Sequence, residues 1–107
     1  MIKLVALYKK PADVEKFEEH YNNVHLPLAA KIPGLKKCEV SKFVGAPRGE
    51  AEYFMMAELY FENMDALKAG MGSEEGKASA KDLMSFAADV VTMSFAECKE
   101  EKVAANV

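Results

Sequence analysis

The chain has 107 residues, half of them hydrophobic and 29% charged, a profile that fits one globular domain and excludes a disordered one. Its formal charge of -3 with scattered lysines excludes a nucleic-acid surface, and no apolar run reaches the roughly eighteen residues of a spanning helix, so the expectation is a soluble cytoplasmic protein with no membrane partner. A domain of this size buries only about two thirds of its unfolded surface, which favours a covering second subunit.

Residues 2–9 alternate, with Ile2, Leu4, Ala6 and Tyr8 opposing Lys3, Val5, Leu7 and Lys9. They predict a first strand and not a signal peptide, because lysines interrupt the run. Pro11-Ala12-Asp13 opens a helix with Asp13 as N-cap, and Val14, Phe17, Tyr21, Val24 and Leu28 follow as its buried stripe. His20 falls off that stripe and reads as a surface residue. Tyr21 and His25, four apart, share one helix face. Pro27 is expected to stop the helix, leaving His25 in or just after the terminal turn, where exposed carbonyls favour imidazolium and apolar surroundings favour the neutral ring.

A Pro33-Gly34 turn hands the chain to a second strand over 36–44, and residues 45–50 form a hairpin loop. A long third strand over 52–62 follows. Asn63 or Asp65 opens a short helix carrying Met64, Leu67 and Met71, and Ser73 caps another whose buried face is Ala80, Leu83, Met84 and Ala87. A fourth strand over 89–98 ends the domain, with residues 99–107 as a tail. Cys38 and Cys98 lack metal spacing and read as free thiols.

The order βαββαβ predicts an α+β, ferredoxin-like fold: a four-stranded antiparallel sheet with its helices on one face. Both faces of the strands carry apolar groups. Tyr53, Met55, Ala57, Leu59 and Phe61 form one set on the third strand, and Phe54, Met56 and Tyr60 sit among Glu58 and Glu62 on the other. Leaving four or five such side chains uncovered forgoes roughly 1.5–3 kcal/mol each, so a homodimer through the sheet faces is expected, enclosing an apolar small-molecule chamber. Phe54, Met56, Glu58 and Tyr60 are its expected lining. His25 is the candidate acid or base, with Tyr21 or Asn22 positioning an oxygen. Two histidines five apart lie on diverging faces of a regular helix, so no metal site is expected.

Taken together, Phe17, Tyr21, His25, Pro27 and Leu28, then Pro33-Gly34-Leu35 and the Ser73-Glu74-Glu75-Gly76 helix start, resemble the EthD-like family of the dimeric α+β barrel proteins over residues 1–98. The resemblance implies a ferredoxin-like sheet that dimerises face to face and needs no cofactor. It implies a histidine at the barrel mouth that moves protons in a cyclase, isomerase, dehydratase or monooxygenase-like reaction on an aromatic or polyketide-like molecule, a role carried here to His25. A non-catalytic accessory protein of an oxygenase pathway is the alternative it implies, and haem on a single axial histidine a minor one.

Overall fold

In the computed structural model, which describes residues 1–104, four strands form one antiparallel sheet in the order β2-β3-β1-β4. These are β1 Ile2–Tyr8, β2 Lys37–Lys42, β3 Met55–Phe61 and β4 Val91–Glu97. The helical segments are α1 Val14–His20, a π-helical turn Tyr21–His25, α2 Leu26–Ala29, α3 Met64–Gly72 and α4 Glu74–Ala87. The α+β, ferredoxin-like architecture expected from the element order is the one observed.

Local chemistry fixes the helix starts. Asp13 accepts from the Lys16 amide at 3.1 Å, Asn63 from Ala66 at 2.9 Å and Ser73 from Gly76 at 3.0 Å, each satisfying an otherwise unpaired first-turn donor. The α3-to-α4 corner is tight because Gly76 lacks a side chain. A Cβ there would stand 2.2 Å from the Gly70 carbonyl oxygen. The buried face of α4 is Gly76, Ser79, Leu83 and Ala87, while Ala80 and Met84 turn to solvent, so the stripe is rotated from the expected one.

The register sorts the strand side chains cleanly. Leu4 pairs with Leu59, Ala6 with Ala57 and Tyr8 with Met55, and these side chains meet Phe17, Tyr21, Ile32, Leu67 and Leu83 in the core beneath the helices. The opposite face carries Lys3, Val5 and Leu7 from β1, Met56, Glu58 and Tyr60 from β3, and Thr92, Ser94 and Ala96 from β4. That face is less apolar than the sequence suggests. Lys3 pairs with Glu58, and the Tyr60 hydroxyl donates to Glu39 at 2.9 Å, so its polar groups satisfy one another. Phe95, the most exposed of the strand hydrophobics at 60%, and Met93 at 41% point to the helix side of the edge strand β4, where no helix covers them.

Strands two and three are shorter than expected, because the Gly- and Pro-bearing connection 43–54 leaves the ladder after one further bond from the Phe43 amide to the Phe54 carbonyl. Beyond Glu97 the described chain, to residue 104, has no regular structure, and the last three residues of the expected tail lie outside the described residues.

Candidate functional site

Pro27 does not end its helix. The backbone stays right-handed helical through Ala30, with one wide turn inserted before the proline, in which the Leu26 amide donates to the Tyr21 carbonyl. A proline ring in a regular helix clashes with the carbonyl four residues back, and the i→i+5 turn relieves that clash. The buried positions explain why the turn is kept. Phe17, Tyr21, His25 and Ala29 recur at strict intervals of four, which a 3.6-residue helix cannot hold on one face unless a turn absorbs the surplus residue. Val24, expected in the core, is therefore rotated outward and 41% exposed. His25 is not at a helix terminus, so the expected pull of terminal carbonyls is absent.

Asp82 of α4 takes that part. Its Oδ2 lies 3.1 Å from His25 Nδ1 and its Oδ1 lies 2.9 Å from His20 Nε2. The wide turn brings two histidines five residues apart to the same carboxylate, which a regular helix would not do. His20 is consequently half-buried, its ring against Phe86 at 4.3 Å between centroids, and not the free surface residue that the periodicity predicts. His25 is 7% exposed. Burial pulls its pKa below the ordinary histidine value, and the Asp82 hydrogen bond and charge oppose that pull. With Nδ1–H donated to the carboxylate, the neutral ring presents Nε2 as its acceptor, and among the described residues Nε2 has no protein partner.

Tyr21 stands beside His25, ring centroids 5.5 Å apart, and meets Tyr8 edge-on at 5.7 Å. Burial pushes both phenols far above their ordinary pKa, so they remain protonated donors at any physiological pH. Tyr8, Tyr21, His25, Ser79, Met71 and Met93 line an enclosed, mostly apolar cavity of about 30 Å³ between sheet and helices. Leu4, Met71 and Met93 also line an open apolar groove of about 480 Å³ that runs past Leu67 to Phe95. The cavity and the groove thus share a wall that includes two flexible methionines.

Of the residues expected to share one site, only Tyr21 and His25 lie against one another. Asn22 is exposed on the outer side of the wide turn. Met56, Glu58 and Tyr60 lie on the opposite face of the sheet, so the sheet itself stands between them and His25. Phe54 precedes β3 and turns its ring toward Phe17 on the helix side, 6.1 Å between centroids. The seven side chains therefore do not share one chamber within the chain, and Tyr21 and His25 lie beneath the helices. Tyr8, Ser79 and Asp82 were missed. Asp82 was legible only as an acid flanking the buried stripe of α4, and Ser79 as a small polar residue within it.

With Nδ1 held by Asp82, a haem on His25 would take Nε2, and the cavity of about 30 Å³ beside the ring has no room for the macrocycle unless its methionine wall is displaced. Among the described residues no cluster of histidine, cysteine, aspartate or glutamate is arranged to hold a metal ion, since the near atoms of His20, Asp82 and His25 are bonded to one another. No helix among them is long and apolar enough to cross a membrane.

A model of the EthD domain matches residues 9–89. An uncharacterised 11.0 kDa protein from the thcB-thcC intergenic region of Rhodococcus erythropolis is 33% identical over 97 residues, 91% of this chain and 94% of that protein. The crystal structure of an ethyl tert-butyl ether degradation family protein from Bacillus halodurans is 44% identical and superposes with a TM-score of 0.89 over 92% of this chain and 99% of that one. Two distant structures share the fold alone. One is a dimeric ferredoxin-like protein of unknown function from Thermobifida fusca, at 18% identity, TM-score 0.67 and coverage of 91% and 90%. The other is the cofactor-independent oxygenase SnoaB of Streptomyces nogalater, at 11% identity, TM-score 0.66 and coverage of 94% of each chain.

Proposed function

The chain belongs to the EthD domain family, and from that premise we propose that it is a small cofactor-independent protein that draws an apolar, aromatic or polyketide-like molecule to His25 and removes a proton from it. The observation that carries this reading is the imidazole fixed through Nδ1 by Asp82 at 3.1 Å, with its ring on a small apolar cavity that shares Leu4, Met71 and Met93 with an open surface groove. In the proposed step the proton leaves an enolisable C–H or a phenolic O–H for His25 Nε2. The resulting enolate or phenolate accepts hydrogen bonds from Tyr21, with Tyr8 or Ser79 as further donors, in a site where few waters compete. Cyclisation, isomerisation, dehydration and attack on dioxygen all begin from such an anion. SnoaB is named a cofactor-independent oxygenase, which supports the reading as an analogy of fold.

The molecule enters by displacing Met71 and Met93, whose unbranched side chains repack cheaply. The functional unit is a homodimer that packs the uncovered sheet face, with Val5, Leu7 and Met56, against its copy, in keeping with the dimeric ferredoxin-like relative. The sheet face is then an interface and not the ligand chamber. Its setting is the cytoplasm, in accord with the free Cys38 and Cys98.

Purified protein titrated with hydroxylated naphthalenes and anthracenes, under air and under nitrogen, tests the reading. His25→Gln should abolish turnover and change ligand affinity less than about threefold, because the lost interaction operates mainly in the transition state. Tight binding without turnover by the unmodified protein would identify a ligand-holding accessory protein instead. No binding by any of the panel would overturn both.

A further inference from the structure

The three-membered arrangement His25–Asp82–His20 spans from the inner cavity to the outside of the molecule. His25 lines the enclosed cavity, whereas His20 lines a separate open groove of about 600 Å³ together with Asp13, Lys16, Glu19 and Asp89. Asp82 stands between them with one oxygen to each ring. With both imidazoles neutral, His20 Nε2–H and His25 Nδ1–H donate to the carboxylate and the group carries one negative charge. A first added proton neutralises it and is favoured. A second makes it cationic in a half-buried setting and is opposed.

Which ring takes that first proton follows from burial and neighbours. The His20 side chain is 34% exposed and that of His25 only 9%, so charge on His20 forfeits far less hydration. Around His20 the groove places three carboxylates, Asp13, Glu19 and Asp89, against one ammonium, Lys16. The titratable groups beside His25 in its cavity are Tyr8 and Tyr21, held neutral by burial, and the exposed Cys38, whose thiol is pushed up, and they offer a cation nothing. Phe86 lies against both rings, at 4.3 Å from His20 and 5.6 Å from His25 between centroids.

We propose that His20 is a positioning residue that holds the proton shared by the triplet, so that His25 stays neutral and ready as a base where an isolated His–Asp pair would already be protonated. The proposal rests on the reading of His25 as the base. It assigns His20 no contact with the bound molecule.

The test needs neither ligand nor turnover. His20→Gln keeps an N–H near the Nε2 position for Asp82 Oδ1 but cannot carry the charge, and the shorter His20→Asn removes both the charge and that contact. The His25 ring signals are followed by NMR on the full chain from pH 9 to 4.5. In the unmodified protein His20 should take up its proton first as the pH falls. In either variant the His25 midpoint should rise by about one pH unit, a tenfold gain in proton affinity. In Asp82→Asn both midpoints should fall. A His25 midpoint that is unmoved or lowered in the folded His20 variants, or a native protein in which His25 titrates before His20, overturns the proposal. Where turnover is found, the acid limb of kcat/KM should move to higher pH by the same amount in His20→Gln. Turnover that depends on His25 but keeps its acid limb in place would sink this inference alone, while a coupled titration without turnover on any ligand would sink only the reading of His25 as a base.

Discussion

Asp82→Asn probes the central contact of the site through stability as well as chemistry. The carboxylate receives two N–H donors, at 2.9 and 3.1 Å, and its side chain is only 14% exposed. An asparagine offers one oxygen and one NH₂, so one histidine keeps its acceptor and the other meets a donor unless its ring changes tautomer. A hydrogen bond to a charged group contributes about 1.5–3 kcal/mol when buried, and the half-exposed His20 side discounts that, so the loss should be about 1–2 kcal/mol near pH 7.5. For a domain of this size that lowers the melting temperature by about 5–10 °C. The pH dependence makes the test specific. The folded pKa of His25 lies below its unfolded value of 6.5, so the folded state resists a proton that the unfolded chain accepts, and stability present above about pH 6.5 is lost as the pH falls. Asp82 raises that folded pKa, and its removal should deepen the acid loss. Melting curves of both proteins between pH 8 and 5.5 should therefore diverge toward acid. A gap that stays constant across this range, or a variant as stable as the parent throughout, would refute the Asp82–His25 coupling.

Two further outcomes follow from packing. Gly76→Ala places a Cβ 2.2 Å from the Gly70 carbonyl oxygen and 2.6 Å from Met71 backbone atoms, so α3 and α4 must separate; the cost should be about 2–3 kcal/mol in urea unfolding. Gly72→Ala, whose Cβ meets nothing within 4 Å, should stay within about 0.5 kcal/mol of the parent and serves as its control. Leu7→Lys puts a charge at the centre of the uncovered sheet face, beside Met56 and Thr92, and should weaken self-association about a hundredfold, on the order of 3 kcal/mol, with the change read by sedimentation velocity. An unchanged dimer in that variant would show that the face is not the interface.

Much of this molecule was legible from residue order. Alternation in Ile2–Tyr8, the Asp13 and Ser73 caps, the Pro33-Gly34 turn and the βαββαβ succession each act over a few residues, and they determine the strands, the helices and the antiparallel sheet. The EthD signature around His25 was likewise readable, and it singled out Tyr21 and His25, which do meet. What failed were inferences about which distant side chains share a space. Met56, Glu58 and Tyr60 alternate correctly along β3, but alternation alone does not say which side of a sheet the helices cover. Tyr8 read as an ordinary strand residue until the helices laid Tyr21 against it.

The sequence by itself determined the element order, the family and the choice of imidazole. Only the tertiary structure decided what that imidazole touches. The reason is geometric: a one-residue surplus in the turn before Pro27 rotates His20 and His25 onto a common face, and a separate helix 57 residues further along the chain from His25 brings Asp82 to both of them. A periodicity that assumes 3.6 residues per turn cannot register the first, and no local pattern encodes the second.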